Sequence, residues 1–211
     1  AINLDKAKNG LPSFYLLQIK PLAGNMFVQS IDVAKMNKSD MLLYTQSCLG
    51  NGEVSDIRDI IYIDNENFNK MKTLEMVQEI EYLNNLMINE NKKYVLIGPG
   101  RWGSSDQFIG IPVNWSQISN ARVIVEISLD NYPLDSSLGS HFFHNVTSMN
   151  IGYFSVLHSS KHDFIRWEEL ENQELINTTA HFKHIRCKHP FKISMDGIHR
   201  KSVILLNRDN D

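Results

Sequence analysis

Residues 57–99, "IRDIIYIDNENFNKMKTLEMVQEIEYLNNLMINENKKYVLIGP", carry the pattern that decides the fold. Two short apolar runs, "IRDIIYI" at 57–63 and "KKYVLIG" at 92–98, flank a segment with a different period. A helix between two strands predicts a mixed sheet with a crossover connection, hence an α/β or α+β fold. The helix is predicted to be amphipathic, with Thr73 as its N-cap, because apolar residues recur every three or four positions at Leu74, Val77, Ile80, Leu83, Leu86 and Met87.

Further strands are predicted on both sides of this unit. The run from Phe14 to Lys20 ends at Pro21, which cannot donate to a strand ladder. A short helix is predicted near Trp167, and Asp196-Gly197 predicts a closing hairpin with a type I′ turn. We therefore expect a mixed β-sheet, one long amphipathic helix and a β-rich C-terminal part that ends in a hairpin. The other predicted strands lie at 26–33, 41–47, 121–129, 151–158 and 179–187 and in the two runs of 191–206 that flank Asp196-Gly197, and 48–56 is predicted to be a glycine-bearing loop.

Composition and charge exclude several classes of protein. The chain has 211 residues, of which 42% are hydrophobic and 21% charged, as in an ordinary globular protein. A net charge of −3 gives no global basic field, so we expect no nucleic-acid partner. Two distant cysteines, and no apolar run near 18 residues, predict a reduced cytoplasmic chain that makes no membrane contact, although a secreted single-disulfide domain remains an alternative. The patterned start at Ala1 indicates a cut inside a longer protein.

The segment "GPGRWGSSD" at 98–106 is the first candidate site. Glycines allow backbone N–H groups to approach an anion, and an arginine can fork onto phosphate or carboxylate. The segment lacks the Lys-Ser/Thr ending of a P-loop. The alternative is a corner between strands, with Arg101 paired to an acid such as Glu126 and with Trp102 packed inside. The predicted ligand-binding residues are Gly98, Gly100, Arg101, Gly103, Ser104, Ser105 and Asp106, the last of which could also hold a metal ion or cap a helix.

The segment "GSHFFHN" at 139–145 is the second candidate. Its histidines, His141 and His144, are three residues apart and would share a helix face, as metal ligands must. No cysteine or acid stands at a paired spacing nearby, so we predict no metal site. We expect Ser140, His141 and Asn145 to line one polar pocket together with residues 98–106.

No catalytic residue can be assigned from the sequence. A phosphohistidine would need an exposed imidazole beside phosphate-binding donors, and His141 and His158 have the best context for that role. Cys48 stands beside a glycine loop and would be nucleophilic only if its pKa were lowered. A stand-alone hydrolase that uses Cys48 or a histidine therefore needs a base within hydrogen-bond reach.

The opening segment carries a family resemblance. The run "FYLLQIKP" at 14–21 resembles the last strand of the ATP-binding domain of phosphoenolpyruvate synthase and pyruvate phosphate dikinase. That strand carries an aromatic residue, Leu, Gln, a variable residue, Arg and Pro; here Gln18 and Lys20 stand at the Gln and Arg positions. The resemblance implies that residues 1–24 are the truncated end of an ATP-grasp-like domain. It also implies that Gln18 and Lys20 contact ATP phosphates or a metal ion.

The remainder, residues 25–211, is predicted to be a C-terminal mixed α/β module. The segments "LIGPGRWGSSD", "GIPVNWSQI" and "GSHFFHN" resemble the tail that follows the ATP-binding domain in bacterial proteins similar to phosphoenolpyruvate synthase. This implies a piece of an ATP-dependent phosphotransferase, a kinase-like transferase, that is inactive alone and either binds a small anionic ligand or docks on the upstream ATP-binding domain. ATP and Mg²⁺ would then belong to the parent protein, with no cofactor on this piece. The alternative is a non-catalytic regulatory or interaction domain without a ligand site.

Overall fold

The structure is a computed structural model, and it describes residues 31–129, 132, 149 and 151–208 together with the backbone of 2–6 and 12–14. The helices are α1 (Thr73–Asn89) and α2 (Trp167–Glu171), and short 3₁₀ turns lie at Val33–Lys35, Lys38–Asp40, Lys70–Lys72 and Trp115–Ile118. The strands are β1 (Ile2–Lys6), β2 (Pro12–Phe14), β3 (Met41–Thr45), β4 (Cys48–Leu49), β5 (Gly52–Ile63), β6 (Tyr94–Pro99), β7 (Arg101–Trp102), β8 (Gly110–Ile111), β9 (Ala121–Ile127), β10 (Gly152–Val156), β11 (Phe164–Ile165), β12 (Glu174–Thr178), β13 (Phe182–Asp196) and β14 (Lys201–Leu205).

One large mixed sheet organises the described chain. Its strand order is β11-β3-β14-β13-β5-β6-β9-β10-β4, and β12 pairs with β13. The pairs β5/β6, β6/β9 and β9/β10 are parallel, whereas the remaining pairs in this order are antiparallel. The long helix connects the parallel strands β5 and β6, which confirms the predicted fold class and its crossover. The ladders β1/β2 and β7/β8 lie outside this sheet.

The sheet curls until its two ends meet. Strands β3 and β4 stand at or near opposite ends of the strand order, yet only Gln46 and Ser47 separate them in the chain. The backbone N–H of Ser155 in β10 donates to the carbonyl of Ser47 (2.8 Å), and the Thr45 hydroxyl donates to the Ser155 carbonyl (2.5 Å). The curl therefore places one face of the sheet around a buried hydrophobic core.

Helix α1 covers part of the sheet with a narrow apolar face. Met76, Ile80, Leu83 and Met87 are fully buried, and burying each such side chain contributes about 1.5–3 kcal/mol. Leu74 is 59% exposed, so its predicted place on the buried face is wrong. The rest of the predicted face is confirmed, since Ile80, Leu83 and Met87 are buried and Val77 and Leu86 are partly buried against the core.

The predicted N-cap of α1 is also wrong. Thr73 is already the first helical residue, and its hydroxyl donates to the carbonyl of Gln107 (2.8 Å). The 3₁₀ turn before the helix supplies the start instead, since the Asn69 side chain accepts the Met71 N–H (2.9 Å). Thr73 thus ties the helix start to the loop that follows β7.

The C-terminal part is β-rich and ends in the predicted hairpin, with a different turn. Asp196 pairs with Lys201, so the loop has four residues, 197–200, and the positive φ falls at Arg200 (60°). The predicted two-residue type I′ turn is wrong because the Asp196 carboxylate accepts the backbone N–H of His199 (3.0 Å) and binds its Nδ1 (2.7 Å). The strand predicted at 179–187 and the first of the two runs predicted in 191–206 form one long strand, β13, whose pairing with β5 shifts between Arg186 and Phe191, around Pro190. The second run forms β14.

Several other sequence predictions have clear outcomes. The strands at 41–47, 121–129 and 151–158 and the short helix at Trp167 are confirmed. The predicted loop at 48–56 instead contains β4 and the start of β5. Most of the strand predicted at 26–33 and most of that at Phe14–Lys20 lie outside the described residues, and Val33 begins a 3₁₀ turn. No helix within the described ranges is both long enough and apolar enough to cross a lipid bilayer.

Candidate functional site

The carboxyl ends of four parallel strands meet at one edge of the sheet. Strands β5, β6, β9 and β10 run in the same direction and end at Ile63, Pro99, Ile127 and Val156. In sheets of this kind, ligands bind outside the carboxyl ends of the strands. The segment 98–106 begins at this edge, since it contains the end of β6 and the following turn. We call this region the carboxyl edge.

The other predicted site residues belong to segments outside the described residues. The connection from β9 to β10 leaves from the carboxyl edge, and the predicted Ser140, His141 and Asn145 belong to it. All three lie outside the described residues, as do Gln18 and Lys20 of the resemblance to the ATP-binding domain. Their assignment as ligand-binding residues remains a prediction.

The backbone amides of the glycine loop do not form the predicted anion cradle. Each of four consecutive N–H groups already donates to a protein acceptor, so none points to a ligand. The donor–acceptor pairs are Gly100 to the Ile127 carbonyl (2.9 Å), Arg101 to the Ile109 carbonyl (3.1 Å), Trp102 to Glu126 Oε1 (3.0 Å) and Gly103 to the Ile111 carbonyl (2.9 Å). Any ligand contacts of this loop must therefore come from side chains.

Two glycines of the loop serve close packing. A Cβ at Gly98 would overlap the indole of Trp102, which is 2% exposed. Gly100 has a φ of 65°, and a Cβ there would overlap the ring of Tyr132. These contacts correspond to the corner interpretation, in which Trp102 packs inside.

The end of the loop is a self-bonded turn. The Ser104 hydroxyl accepts the Asp106 N–H (3.1 Å), and Asp106 Oδ1 accepts the Phe108 N–H (2.9 Å). Asp106 therefore stabilises the turn as a hydrogen-bond acceptor. Ser105 and Asp106 are exposed and lie beside the carboxyl edge. Nowhere in the described ranges do three His, Cys, Asp or Glu side chains group so that they could hold a metal ion.

A buried carboxyl lies directly beneath the loop. Glu126 is fully buried in β9, where it is paired in register with Gly98 of β6 and Ser155 of β10. Burial raises the pKa of Glu126 to about 7, against the opposing effects of a Tyr153 hydrogen bond, the Trp102 N–H and, least of these, the Arg101 charge. Near neutral pH a large fraction of this carboxyl is therefore protonated.

Arg101 completes the cluster. Its side chain is half-buried, and its positive charge acts on both Glu126 and Tyr153. Guanidinium groups bind carboxylates and phosphates through two parallel N–H donors. The carboxyl edge thus places a half-buried cation beside a carboxyl that is only partly ionised.

Three buried polar atoms around Arg101 have no hydrogen-bond partner within the described chain. They are Glu126 Oε2, Trp102 Nε1 and the Tyr132 hydroxyl. An unsatisfied buried polar group costs roughly 1–3 kcal/mol, so native proteins rarely retain one without a reason. Tyr132 packs on Gly100, and Trp102 binds Glu126 through its backbone, so all three atoms belong to one neighbourhood.

The sequence prediction named Glu126 only as a possible partner of Arg101 and missed Tyr132 and Tyr153. One signal was present, because a single glutamate in the apolar run "ARVIVEISL" must be buried with its neighbours. Tyr153 could not be found in this way, since an aromatic residue in a strand is ordinary core composition. Its role depends on the parallel pairing of β9 with β10.

Cys48 does not form a nucleophilic site. Its thiol is 1% exposed, and burial raises its pKa to about 12. Its hydrogen-bond acceptors within the described chain are the carbonyls of Lys201 (3.1 Å) and Asp196 (3.8 Å), neither of which is a base. Because the thiolate is the reactive form, the structure removes Cys48 from the hydrolase hypothesis.

We expect Glu126 to make the stability of the protein fall as the pH rises. The folded-state pKa of about 7 lies above the ordinary glutamate pKa of 4.5, so the folded state holds this proton more tightly. Between pH 5 and pH 8 this should lower the free energy of unfolding by roughly 2 kcal/mol. Glu126→Gln should lack that loss in urea unfolding at both pH values, whereas the exposed Glu174→Gln should retain it. Equal pH dependence of the wild type and Glu126→Gln would contradict the assignment.

No protein-family model matches the chain, and no curated protein and no solved structure matches it at a significant level. The resemblance to phosphoenolpyruvate synthase and pyruvate phosphate dikinase therefore remains a prediction from the residues alone.

Proposed function

We propose that the carboxyl edge binds a small anionic ligand and that the chain is the C-terminal module of an ATP-dependent phosphotransferase. The observation that carries the proposal is the half-buried Arg101 above the fully buried Glu126 at the end of the parallel strands. The resemblance to phosphoenolpyruvate synthase and pyruvate phosphate dikinase suggests a carboxylate or phosphate as the anion. Such a ligand would be the phosphoryl acceptor or the product of the parent protein.

The partly protonated Glu126 supports this role. A permanently ionised carboxylate beneath Arg101 would neutralise the guanidinium and compete with a ligand. With a pKa of about 7, Glu126 is only partly ionised at neutral pH and therefore neutralises Arg101 only in part, and its protonated form can donate a hydrogen bond.

In a phosphoryl transfer this module would act by placement and charge. Most of the catalysis of such a transfer comes from positioning and from stabilising the developing negative charge. Arg101 would hold the anion, while ATP and Mg²⁺ would be bound by the upstream domain of the parent protein. The assignment of ATP and Mg²⁺ to an upstream domain rests on the resemblance of residues 1–24 to the end of an ATP-binding domain.

A thermal-shift experiment with phosphate, pyruvate, phosphoenolpyruvate and ATP tests the proposal. A ligand at 100 times its dissociation constant adds about 2.7 kcal/mol of stability, which corresponds to a rise in Tm of roughly 5–10 °C. We expect at least one anion to raise the Tm of the wild type and to have little effect on Arg101→Gln. Arg122→Gln, at the opposite end of β9, is the matched control and should respond like the wild type. No shift with any of the four ligands would contradict the proposal.

A second candidate function is docking of another protein domain on the same edge. Four large apolar side chains are exposed there: Met71 (66%), Leu74 (59%), Phe108 (49%) and Ile109 (40%). The hydrogen bond from Thr73 to Gln107 holds the two segments that carry them side by side. A non-catalytic interaction domain, or docking on the upstream ATP-binding domain, would use such a surface. The thermal-shift experiment separates the two candidates, because docking alone requires no response to small anions.

A further inference from the structure

One cavity is lined by residues other than those of the Arg101 cluster. It has a volume of about 590 Å³, within the range of small-molecule sites, and opens beside the short strand β11. Its walls come from the 3₁₀ turns before β3, from β3 itself and from residues 161–166. Its described lining includes neither Glu126 nor Arg101 nor any other residue of 98–106, so the inference does not depend on the anion site of the proposed function.

The cavity has a cationic wall. Lys38, Lys161, His162 and Arg166 line it, and no aspartate or glutamate occurs among its described lining residues. The nearby Asp163 is held by the backbone N–H groups of Gln46 (2.9 Å) and Leu157 (3.4 Å). In a chain with a net charge of −3, this wall is a local concentration of positive charge that favours an anion.

Arg166 is fixed in position before any ligand arrives. Its guanidinium donates to the carbonyls of Ser39 (3.0 Å) and Lys38 (2.6 Å), which leaves further N–H groups for an anion. A guanidinium that is already ordered loses less conformational entropy on binding. Lys38 and Lys161 are exposed and can move onto a phosphate as flexible point charges.

Another part of the lining is apolar and aromatic. Tyr44 and Phe164 lie with ring centroids 6.3 Å apart, and Val33 and Met41 extend the apolar surface. The guanidinium carbon of Arg166 is 6.0 Å from the centre of the Phe164 ring. A planar ring could pack on this wall while a phosphate attached to it meets the cations.

We propose that this cavity binds a phosphorylated ligand that carries a planar ring, the chemical class to which nucleotides belong. Lys38, Lys161 and Arg166 bind the phosphate, and the ring packs on Tyr44 and Phe164. Phosphate alone would use only the cationic wall, and an uncharged ring only the aromatic one. The ligand class thus follows from both walls together.

Isothermal titration of the full chain with ADP, adenosine, pyrophosphate and inorganic phosphate tests this inference. ADP should bind at least about tenfold more tightly than adenosine or inorganic phosphate, and its affinity should fall with added salt. Lys38→Gln combined with Lys161→Gln should weaken ADP binding about tenfold. Lys35→Gln is the matched control, because this exposed lysine pairs with Asp32 and does not line the cavity. Phe164→Leu should weaken ADP binding and leave pyrophosphate binding unchanged.

Three results of these titrations would contradict the proposed ligand class. Equal binding of ADP and adenosine, unchanged ADP binding in the double lysine variant, or no ADP binding at millimolar concentration would each overturn the inference. Loss of ADP binding in Arg101→Gln, with none in the double lysine variant, would place ADP at the carboxyl edge instead. Failure of the anion site at Arg101 would leave these titrations unaffected.

Discussion

Gly110→Ala is expected to destabilise the protein by about 3 kcal/mol or more. Gly110 in β8 pairs with Arg101 in the parallel ladder β7/β8, and a Cβ there would overlap the Arg101 carbonyl oxygen. It would also lie 2.7 Å from the carbonyl carbon and 2.9 Å from the nitrogen of Arg101. Because all three atoms are backbone, no rotamer change relieves the overlap, and the two strands must separate.

The control for Gly110→Ala is Gly52→Ala. Gly52 has a φ of 110°, but a Cβ there meets no atom within 4 Å. This variant therefore carries only backbone strain, which costs roughly 1–3 kcal/mol. Urea unfolding should show that Gly110→Ala is the less stable of the two variants. The Gly110→Ala protein should also lose any anion binding that depends on Arg101. A Gly110→Ala protein as stable as the wild type would contradict the described pairing of β7 with β8.

Asp59→Asn is expected to cost about 3–4 kcal/mol, because it removes the negative charge from a buried ionic cluster. Asp59 is 2% exposed in β5, where its Oδ1 lies 2.8 Å from His184 Nε2 and accepts from Arg186 Nε (2.8 Å). Arg186 also donates to Glu90, the residue after α1 (2.8 Å). The carboxylate therefore holds β13 to β5 and, through Arg186, to the end of the helix.

The cost of Asp59→Asn should depend on pH. Burial raises the pKa of Asp59, but hydrogen bonds from His184 and Arg186 outweigh it and hold the pKa below its usual value. The stabilisation is thus complete above the unfolded-state pKa of about 4 and is lost as the pH falls through the lower folded-state pKa. Asp56→Asn, exposed on the same strand, should change stability by less than about 0.5 kcal/mol. An Asp59→Asn protein that unfolds with the wild type at pH 7 would contradict this role.

The fold was predictable where local pattern and burial agree. The change of period between 57 and 99 identified β5, α1 and β6, because one helix stripe and two buried strands leave a strong signal. The helix start was missed because Thr73 uses its hydroxyl in a tertiary contact with Gln107. The closing turn was missed because the Asp196 side chain, and not the backbone preference of Gly197, sets the loop.

The candidate site was predictable only in part. The segment 98–106 stood out by composition, and it does begin at the carboxyl edge. Its glycines were expected to expose amides, but whether an N–H is free depends on the neighbouring strands. Here acceptors in β8, in β9 and in the residues next to them take the hydrogen bonds of all four N–H groups. The cluster of Arg101, Glu126 and Tyr153 joins segments that only the sheet order brings together.

Isothermal titration with phosphoenolpyruvate at pH 7 tests the anion site most directly. If Arg101 holds the ligand, Arg101→Gln should weaken binding at least about tenfold, or roughly 1.4 kcal/mol, while Arg122→Gln should bind like the wild type. Equal dissociation constants for the wild type and Arg101→Gln, or no binding of phosphate, pyruvate, phosphoenolpyruvate or ATP to the wild type at millimolar concentration, would contradict it.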